Sequence, residues 1–418
     1  MEESGKTILI LGNGFDLAHG LPTKYSHFLE FCKRVEEVWN RNLNSDKQEG
    51  TTDKSEQDGD LSKSETSFID SVAVGIAGIR VSVQNNGKID EVILDDLVMK
   101  EMLTLFDDNI WYLYFKDLYE LKLMKGENWI DFESEIRFII KEVDVNTKSL
   151  TDVWEQVIEK AMGMPKDSRL NLFEKKLSFH KYTMRKRLPN NYVPKVKDFR
   201  EKAFEDLERL TRALELYLSA LVEKLPINVR ISEIERLDPD YVINFNYTDT
   251  YERIYKKGKV YYIHGKADAK QSIEHNNMVL GIDEYWIGDE QNERTNFTIF
   301  KKFAQRIQKH TGNESYKYLM EMQKLFRANK DRLSGNIDIN NNHPDGVSYV
   351  YVFGHSLDVT DKDILSSYFG DDATAVTVYC MDKGTEGELI ANTIKLITEK
   401  RLLEKVNHVP TKLRYRIP

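Results

Sequence analysis

Hydrophobic positions fall into two regimes along this chain. At the start, Lys6 to Leu11 is a short, continuous, β-branched apolar run that stops at Gly12, the pattern of a buried strand. The same pattern returns beyond Asp238. Tyr241-Val242-Ile243, Val260-Tyr261-Tyr262-Ile263, Met278-Val279-Leu280-Gly281, Val347 to Phe353 and Ala375 to Cys380 each predict a strand. Between these blocks the period changes. Ala203, Leu207, Leu210, Leu214, Leu218 and Leu221 recur at intervals of three and four, one apolar stripe on a helix that Pro226 terminates. Helical character covers most of the stretch from Leu94 to Leu225. It also covers Tyr25 to Trp39, with Thr23 or Ser26 as its cap, and the charged stretch Phe297 to Lys330. A terminal helix is expected over Glu388 to Lys400, with Ile390, Ile394 and Ile397 on one face. Asn42 to Lys63 has almost no apolar residues and reads as a mobile loop. Val72 to Val83 is ambiguous, because Gly75 and Gly78 weaken a helix.

Strands alternating with helices predict an α/β fold with a largely parallel sheet. The first strand comes from the N-terminus and the others from the C-terminal third, so a helical insertion interrupts one domain. Residues 1–41 and 226–418 are expected to form the α/β domain, 42–67 the mobile loop, and 68–225 the mainly helical insertion or subdomain.

Composition narrows the function. The 418 residues allow two domains, and 40% apolar with 31% charged residues is an ordinary soluble chain. A net charge of −9 argues against nucleic acid as the main partner. The two cysteines, Cys32 and Cys380, lie outside any Cys-x-x-Cys, so a zinc ribbon or a disulfide framework is excluded and no metal is expected. The N-terminus lacks the basic n-region of a secretory signal, and Val72 to Ile79 is too short to span a bilayer. A reducing cytoplasm and no membrane partner are the expectation.

Candidate chemistry gathers at predicted strand ends, where open α/β sheets collect ligand groups. Gly12-x-Gly14 after the first strand allows close backbone approach to a phosphate, with the next helix N-terminus as donor. The third glycine of the dinucleotide fingerprint is replaced by Leu17, so a plain strand-to-helix turn explains the pattern as well. Asn244, Asn246, Tyr247, Thr248 and Asp249 follow the second predicted strand, and His264-Gly265 the third. Carboxamides orient a ligand or a water, and a histidine takes a proton near neutral pH; equally, asparagines satisfy turn backbone. Gly354-His355-Ser356-Leu357-Asp358 reads as a second ligand loop. It also reads as a near-miss of the Gly-x-Ser-x-Gly elbow, with Asp382 and His408 following in hydrolase order. Trp129, Asp131 and Glu133 open a helical run, where acidic residues suit the helix dipole or face a pocket and receive a ribose. Lys301, Lys302, Gln305, Arg306 and Lys309 form a basic helical face, expected to be solvated or to meet phosphate. Asp283, Glu284 and Asp289 are too loosely spaced for a nuclease metal cluster.

Taken together, five segments resemble the AbiH family of bacteriophage abortive-infection proteins. They are Ile10 to Thr23, Asn244 to Glu252, Ile263-His264-Gly265, Leu280-Gly281-Ile282-Asp283-Glu284 and Phe353 to Asp358. More remotely, the layout is similar to the sirtuin-like NAD-cleaving domains of anti-phage systems, which implies a Rossmann-like, sirtuin-like fold. By that resemblance Gly12, Asn13, Gly14, Phe15 and Asp16 line the ligand's pyrophosphate side. Asn246 holds the nicotinamide side or a water, with Asn244, Tyr247 and Gly265 around it. His264 acts as base with Asp249 nearby, and Gly354, His355, Ser356 and Asp358 meet the adenosine half. Two positions depart from the sirtuin-like pattern: Asp16 stands where Ser is usual, and Thr248 where Asp is expected. The four zinc cysteines of deacetylase sirtuins are missing.

The resemblance implies hydrolysis of NAD at its nicotinamide–ribose bond, with NAD as substrate rather than cofactor. A non-catalytic NAD or nucleotide sensor and a serine hydrolase using Ser356 are the alternatives. The helical insertion is open to three roles: sensor of a phage-derived trigger, homo-oligomer surface, or lid.

Overall fold

A computed structural model describes residues 6–36, 96–145, 196–312 and 347–417, with isolated positions between 317 and 324. The expected loop at Asn42 to Lys63, the ambiguous stretch Val72 to Val83 and most of Phe297 to Lys330 beyond residue 312 lie outside the described residues.

Among the described residues six strands form one sheet: β1 (Thr7–Leu11), β2 (Tyr241–Asn244), β3 (Lys259–Tyr262), β4 (Ser348–Phe353), β5 (Thr374–Tyr379) and β6 (Leu413–Arg416). Their order is β3-β2-β1-β4-β5-β6, and every pairing is parallel. Leu9 of β1 stands opposite Val242 of β2 and Tyr351 of β4. The α/β expectation therefore holds. The chain winds outward from β1 in both directions, so the topological switch point lies between β1 and β4.

Alternation at period two explains how β1 serves two cores. Ile8 and Ile10 share one with Val350, Val352, Leu365, Tyr368 and Leu389. Leu9 and Leu11 share the other with Phe15, Val242, Tyr251 and Tyr255. Continuous apolar strands are what a parallel sheet covered on both faces requires.

A third core is helical. It is built by a helix over 25–36 with the helices Asp96–Phe106, Ile110–Met124, Phe132–Val145 and Val196–Leu216. The predicted stripe from Ala203 to Leu221 is buried throughout, and its last turn continues as a π-helix over Tyr217–Leu221. This core is not confined to 68–225. It takes Phe28, Phe31 and Cys32 from the N-terminal segment, and Met278, Leu280, Ile282 and Phe300 from beyond β3. An amphipathic helix buries its stripe against whatever apolar surface the chain brings near, regardless of sequence distance.

Three expectations need correction. Met278 to Gly281 is buried but is not a strand. Its carbonyls are taken by side chains instead of a neighbouring strand: Met278 by Lys309 Nζ at 2.7 Å, Val279 by the Tyr247 hydroxyl at 2.8 Å, and Leu280 by Gln305 Nε2 at 3.0 Å. The last long helix spans Lys383–Ile397, capped by Asp382, and buries Leu389, Thr393, Leu396 and Ile397, while Ile394 is exposed. Beyond it lie a further helix, Glu399–Val406, and the edge strand β6. β6 reads Leu-Arg-Tyr-Arg and carries no apolar run, so only its pairing with β5 makes it a strand.

Candidate functional site

β1 to β4 all point their C-terminal ends to the same edge of the sheet, and the loops that follow them meet there. The β1 and β4 loops are in direct contact. Gly14 N–H donates to the Gly354 carbonyl at 2.8 Å and Gly12 N–H to the Phe353 carbonyl at 3.1 Å. A Cβ on Gly12 would lie 2.5 Å from His355 Cα, and one on Gly14 would lie 2.7 Å from Gly354 Cα. Loop-to-loop packing alone thus demands both glycines of Gly12-x-Gly14. The amides of Gly12, Gly14 and Phe15 all have protein partners already, Phe15 N–H through the Gly12 carbonyl.

The remaining β1-loop residues do varied work. Asn13 is exposed and accepts from the Thr23 hydroxyl at 2.5 Å. The Phe15 ring is core, against His19, Tyr251, Tyr255 and Phe353. Asp16 is buried, and its Oδ2 accepts from the Thr248 hydroxyl at 2.6 Å. Asp16 and Thr248 are the two departures from the sirtuin-like pattern, and they are bonded to each other. Burial pushes the Asp16 carboxyl up to about 6, against the hydrogen bonds from Thr248 and Thr250.

After β2, Asn244 closes an Asx turn: its Oδ1 accepts from Asn246 N–H at 3.0 Å and its Nδ2 donates to the Thr248 carbonyl at 3.3 Å. Asn246 Nδ2 donates to the Gly12 carbonyl at 3.1 Å, so this carboxamide ties the β2 loop to the β1 loop. Tyr247 is half-buried at the same edge. Asp249 accepts no bond from His264. Its backbone N–H donates to Glu223 Oε1 at 3.1 Å, and its Oδ1 lies 4.0 Å from Arg253 Nε.

His264 and Gly265 follow β3. Gly265 has φ +84°, and a Cβ there would lie 2.2 Å from the Asn277 carbonyl oxygen. His264 is buried, with Nε2 2.9 Å from Asp361 Oδ1. Its Nδ1 is buried without a hydrogen-bond partner. An ionised carboxylate only accepts, so the ring proton sits on Nε2 and the lone pair on Nδ1. Burial, then the Lys302 ammonium, push the imidazole down to about 4, so the ring is neutral at pH 7.

Asp361 was not singled out from sequence, and it is the hub. It ends the short turn Val359–Asp361 that Asp358 caps by accepting from Thr360 N–H at 2.9 Å. Lys302 Nζ lies 2.9 Å from Asp361 Oδ1 and 2.8 Å from Glu133 Oε2. His355 Nε2 lies 3.6 Å from Asp361 Oδ2, and its Nδ1 accepts from Leu357 N–H at 2.9 Å. The Phe245 ring stands edge-on to both imidazoles. Against its burial, Lys302 and then His264 hold Asp361 well below the ordinary carboxylate range. Glu133 is instead pushed up to about 8, chiefly by burial. The Glu-Lys-Asp-His chain was hidden in sequence by distance; the one available signal was Asp361 in the turn directly after Gly354 to Asp358.

Two sequence readings divide or change here. Asp131 is a cap, accepting from Glu133 N–H at 3.0 Å and the Ser134 hydroxyl at 2.7 Å, whereas Glu133 enters the site. The basic face is not solvated. Lys301 pairs with Glu284 at 2.6 Å, Lys309 with Glu208 at 2.7 Å, Arg306 with Asp363, and Gln305 is fully buried. Ser356 is exposed, and its Oγ accepts from Asp358 N–H at 3.4 Å. Asp382 bonds Thr385, and His408 bonds the Pro410 carbonyl, so no hydrogen bond joins the three as a triad. Among the described residues no cluster of His, Cys, Asp and Glu could hold a metal, and no helix is long and apolar enough to cross a membrane.

Fold and site together define an α/β protein with a buried His–Asp pair at the C-terminal edge of a parallel sheet. Sequence comparison then gives the family. The chain belongs to the family described as bacteriophage abortive infection AbiH, whose profile matches residues 8–379. Comparison with curated proteins and with solved structures finds no match, and nothing extends the likeness to sirtuin-like proteins. Membership supports a role in defence against bacteriophage.

Proposed function

We propose that this protein is an abortive-infection enzyme that hydrolyses NAD at the nicotinamide–ribose bond. The observation that carries the reading is His264: its Nε2 is held by Asp361, and its neutral Nδ1 is buried without a partner. The place is the C-terminal edge beside the switch point of a sheet ordered β3-β2-β1-β4-β5-β6, an order shared with dinucleotide-binding folds. In this reading the C–N glycosidic bond breaks and its electron pair goes to the nicotinamide nitrogen. The electron-poor C1′ bonds the oxygen of a water, and His264 Nδ1 takes the proton. ADP-ribose and nicotinamide are the products. Asn246 holds the β1 loop in register with the site. The engaged amides of Gly12, Gly14 and Phe15 fit a resting form whose β1 loop must part from the β4 loop to admit a pyrophosphate.

The test is nicotinamide release from NAD by purified protein, alone and with lysate of phage-infected cells, beside a His264→Ala control. Release that disappears with His264 supports the reading. No release in either condition overturns it. A second reading, an NAD-binding sensor that consumes nothing, is favoured by the low basicity that burial gives His264. Calorimetric titration with NAD, showing binding without product, would select it.

A further inference from the structure

We infer that Lys302 is a positioning residue of this site: its ammonium clamps the Asp361 oxygen that receives His264 Nε2–H, and so keeps the imidazole lone pair on Nδ1. Glu133 anchors the clamp from the helical core. The inference rests on the proposed use of His264 as base, and it makes the helical region part of the site rather than an appendage.

The geometry is a single oxygen with two donors. Asp361 Oδ1 accepts from His264 Nε2 and from Lys302 Nζ, both at 2.9 Å. Lys302 is buried and begins the helix Lys302–Gln308; Glu133 belongs to the helix Phe132–Val145, and Asp361 to the turn after β4. Three distant parts of the chain therefore meet at one ammonium, and Asp361 carries the contact on to the imidazole.

Without the ammonium, the buried Asp361 carboxylate loses the cation that does most to favour its ionised form, and a desolvated carboxylate without that cation takes up a proton. On Asp361 that proton has one suitable place. His355 Nδ1 accepts from Leu357 N–H, so its Nε2 carries hydrogen and faces Asp361 Oδ2. The new hydroxyl hydrogen must then sit on Oδ1, against His264 Nε2. That nitrogen becomes the acceptor, the ring proton moves to Nδ1, and Nδ1 no longer carries a lone pair. Other charged and titratable groups facing the cluster are Tyr25, Tyr247, Asp131, Asp283 and Arg306. Arg306 is tied to Asp363 and Arg137 to Asp283, so neither replaces the ammonium. Losing Glu133 alone leaves Lys302 on Asp361, and the tautomer unchanged.

The experiment uses full-length protein labelled with ¹⁵N-histidine and long-range ¹H–¹⁵N spectra, with His264→Gln to assign the signals. The wild type is expected to show His264 with a bare Nδ1 and a protonated Nε2 at pH 7. Lys302→Met is expected to invert or average that pattern at pH 7 and to recover it as pH rises and Asp361 ionises. Lys302→Arg and Glu133→Gln are expected to keep the wild-type pattern. Should Lys302→Met fail to fold, the Glu133→Gln/Lys302→Met variant, which replaces the Glu133 carboxyl by an amide that cannot ionise, makes the same prediction. A bare Nδ1 at pH 7 in either folded methionine variant would overturn the inference. Nicotinamide release should fall roughly 10²–10⁴-fold in Lys302→Met with KM for NAD unchanged. If the wild type releases none, the NAD reading has failed, and the spectra still decide the role of Lys302.

Discussion

Gly14 and Gly354 face each other across the gap between β1 and β4, joined by an amide-to-carbonyl hydrogen bond of 2.8 Å. Gly354 has φ +70°, and a Cβ on it would lie 2.2 Å from Phe15 N. Gly354→Ala should therefore cost more than about 2 kcal/mol, left-handed strain plus a backbone clash. Gly126 has φ +79° and nothing within 4 Å of such a Cβ, so Gly126→Ala should cost only about 1 kcal/mol. Urea titrations of both variants check the difference; equal losses would mean that the loop contact contributes little.

His264 sets the pH dependence. If its neutral form is the base, nicotinamide release should rise through pH about 4 and stay level from there to neutrality. A rise centred on the ordinary histidine value of 6.5 would show a solvated ring. His264→Ala should lower turnover by about 10²–10⁴-fold while NAD still binds.

Asp16 should leave a mark on stability. Its folded-state pKa, about 6, lies above the ordinary 3.8, so between these values the folded state binds more protons than the unfolded one. Stability from this group is present at low pH and is lost as pH rises to about 6, by roughly 3 kcal/mol. Asp16→Asn should abolish that slope. Denaturation midpoints of the two proteins at pH 4, 5, 6 and 7 should converge toward acid if the sign is right.

Lys301 distinguishes a buried pair from a solvated face. Lys301→Met removes the cation from Glu284, which stays partly exposed and keeps the Tyr285 and Trp286 N–H donors, and should cost about 1–2 kcal/mol. Lys197, exposed and paired with Glu201, is the control: Lys197→Met should change stability by less than about 1 kcal/mol. Thermal melts of both would expose a mistaken burial of the Lys301 face.

Ser356→Ala should change nicotinamide release and stability little, about 0.5 kcal/mol or less. A fluorophosphonate probe should leave Ser356 unlabelled. Stable labelling at this residue would revive the serine hydrolase.

What the sequence determined by itself is the set of elements whose pattern is local. β1, β2, β4 and β5 are apolar runs, and the stripe from Ala203 to Leu221 has helical spacing, so burial follows from period alone. The family motifs also located the loops at the strand ends and marked His264. Tertiary structure decided the rest, because those outcomes depend on partners far away in the chain. Met278 to Gly281 looks like a strand until side chains take its carbonyls, and β6 becomes a strand only beside β5. Lys302 looks like a solvated cation until Glu133 and Asp361, contributed by two other parts of the chain, surround it. A charge is tolerable inside a protein only where its counter-charges are delivered to it, and the fold, not the local pattern, delivers them.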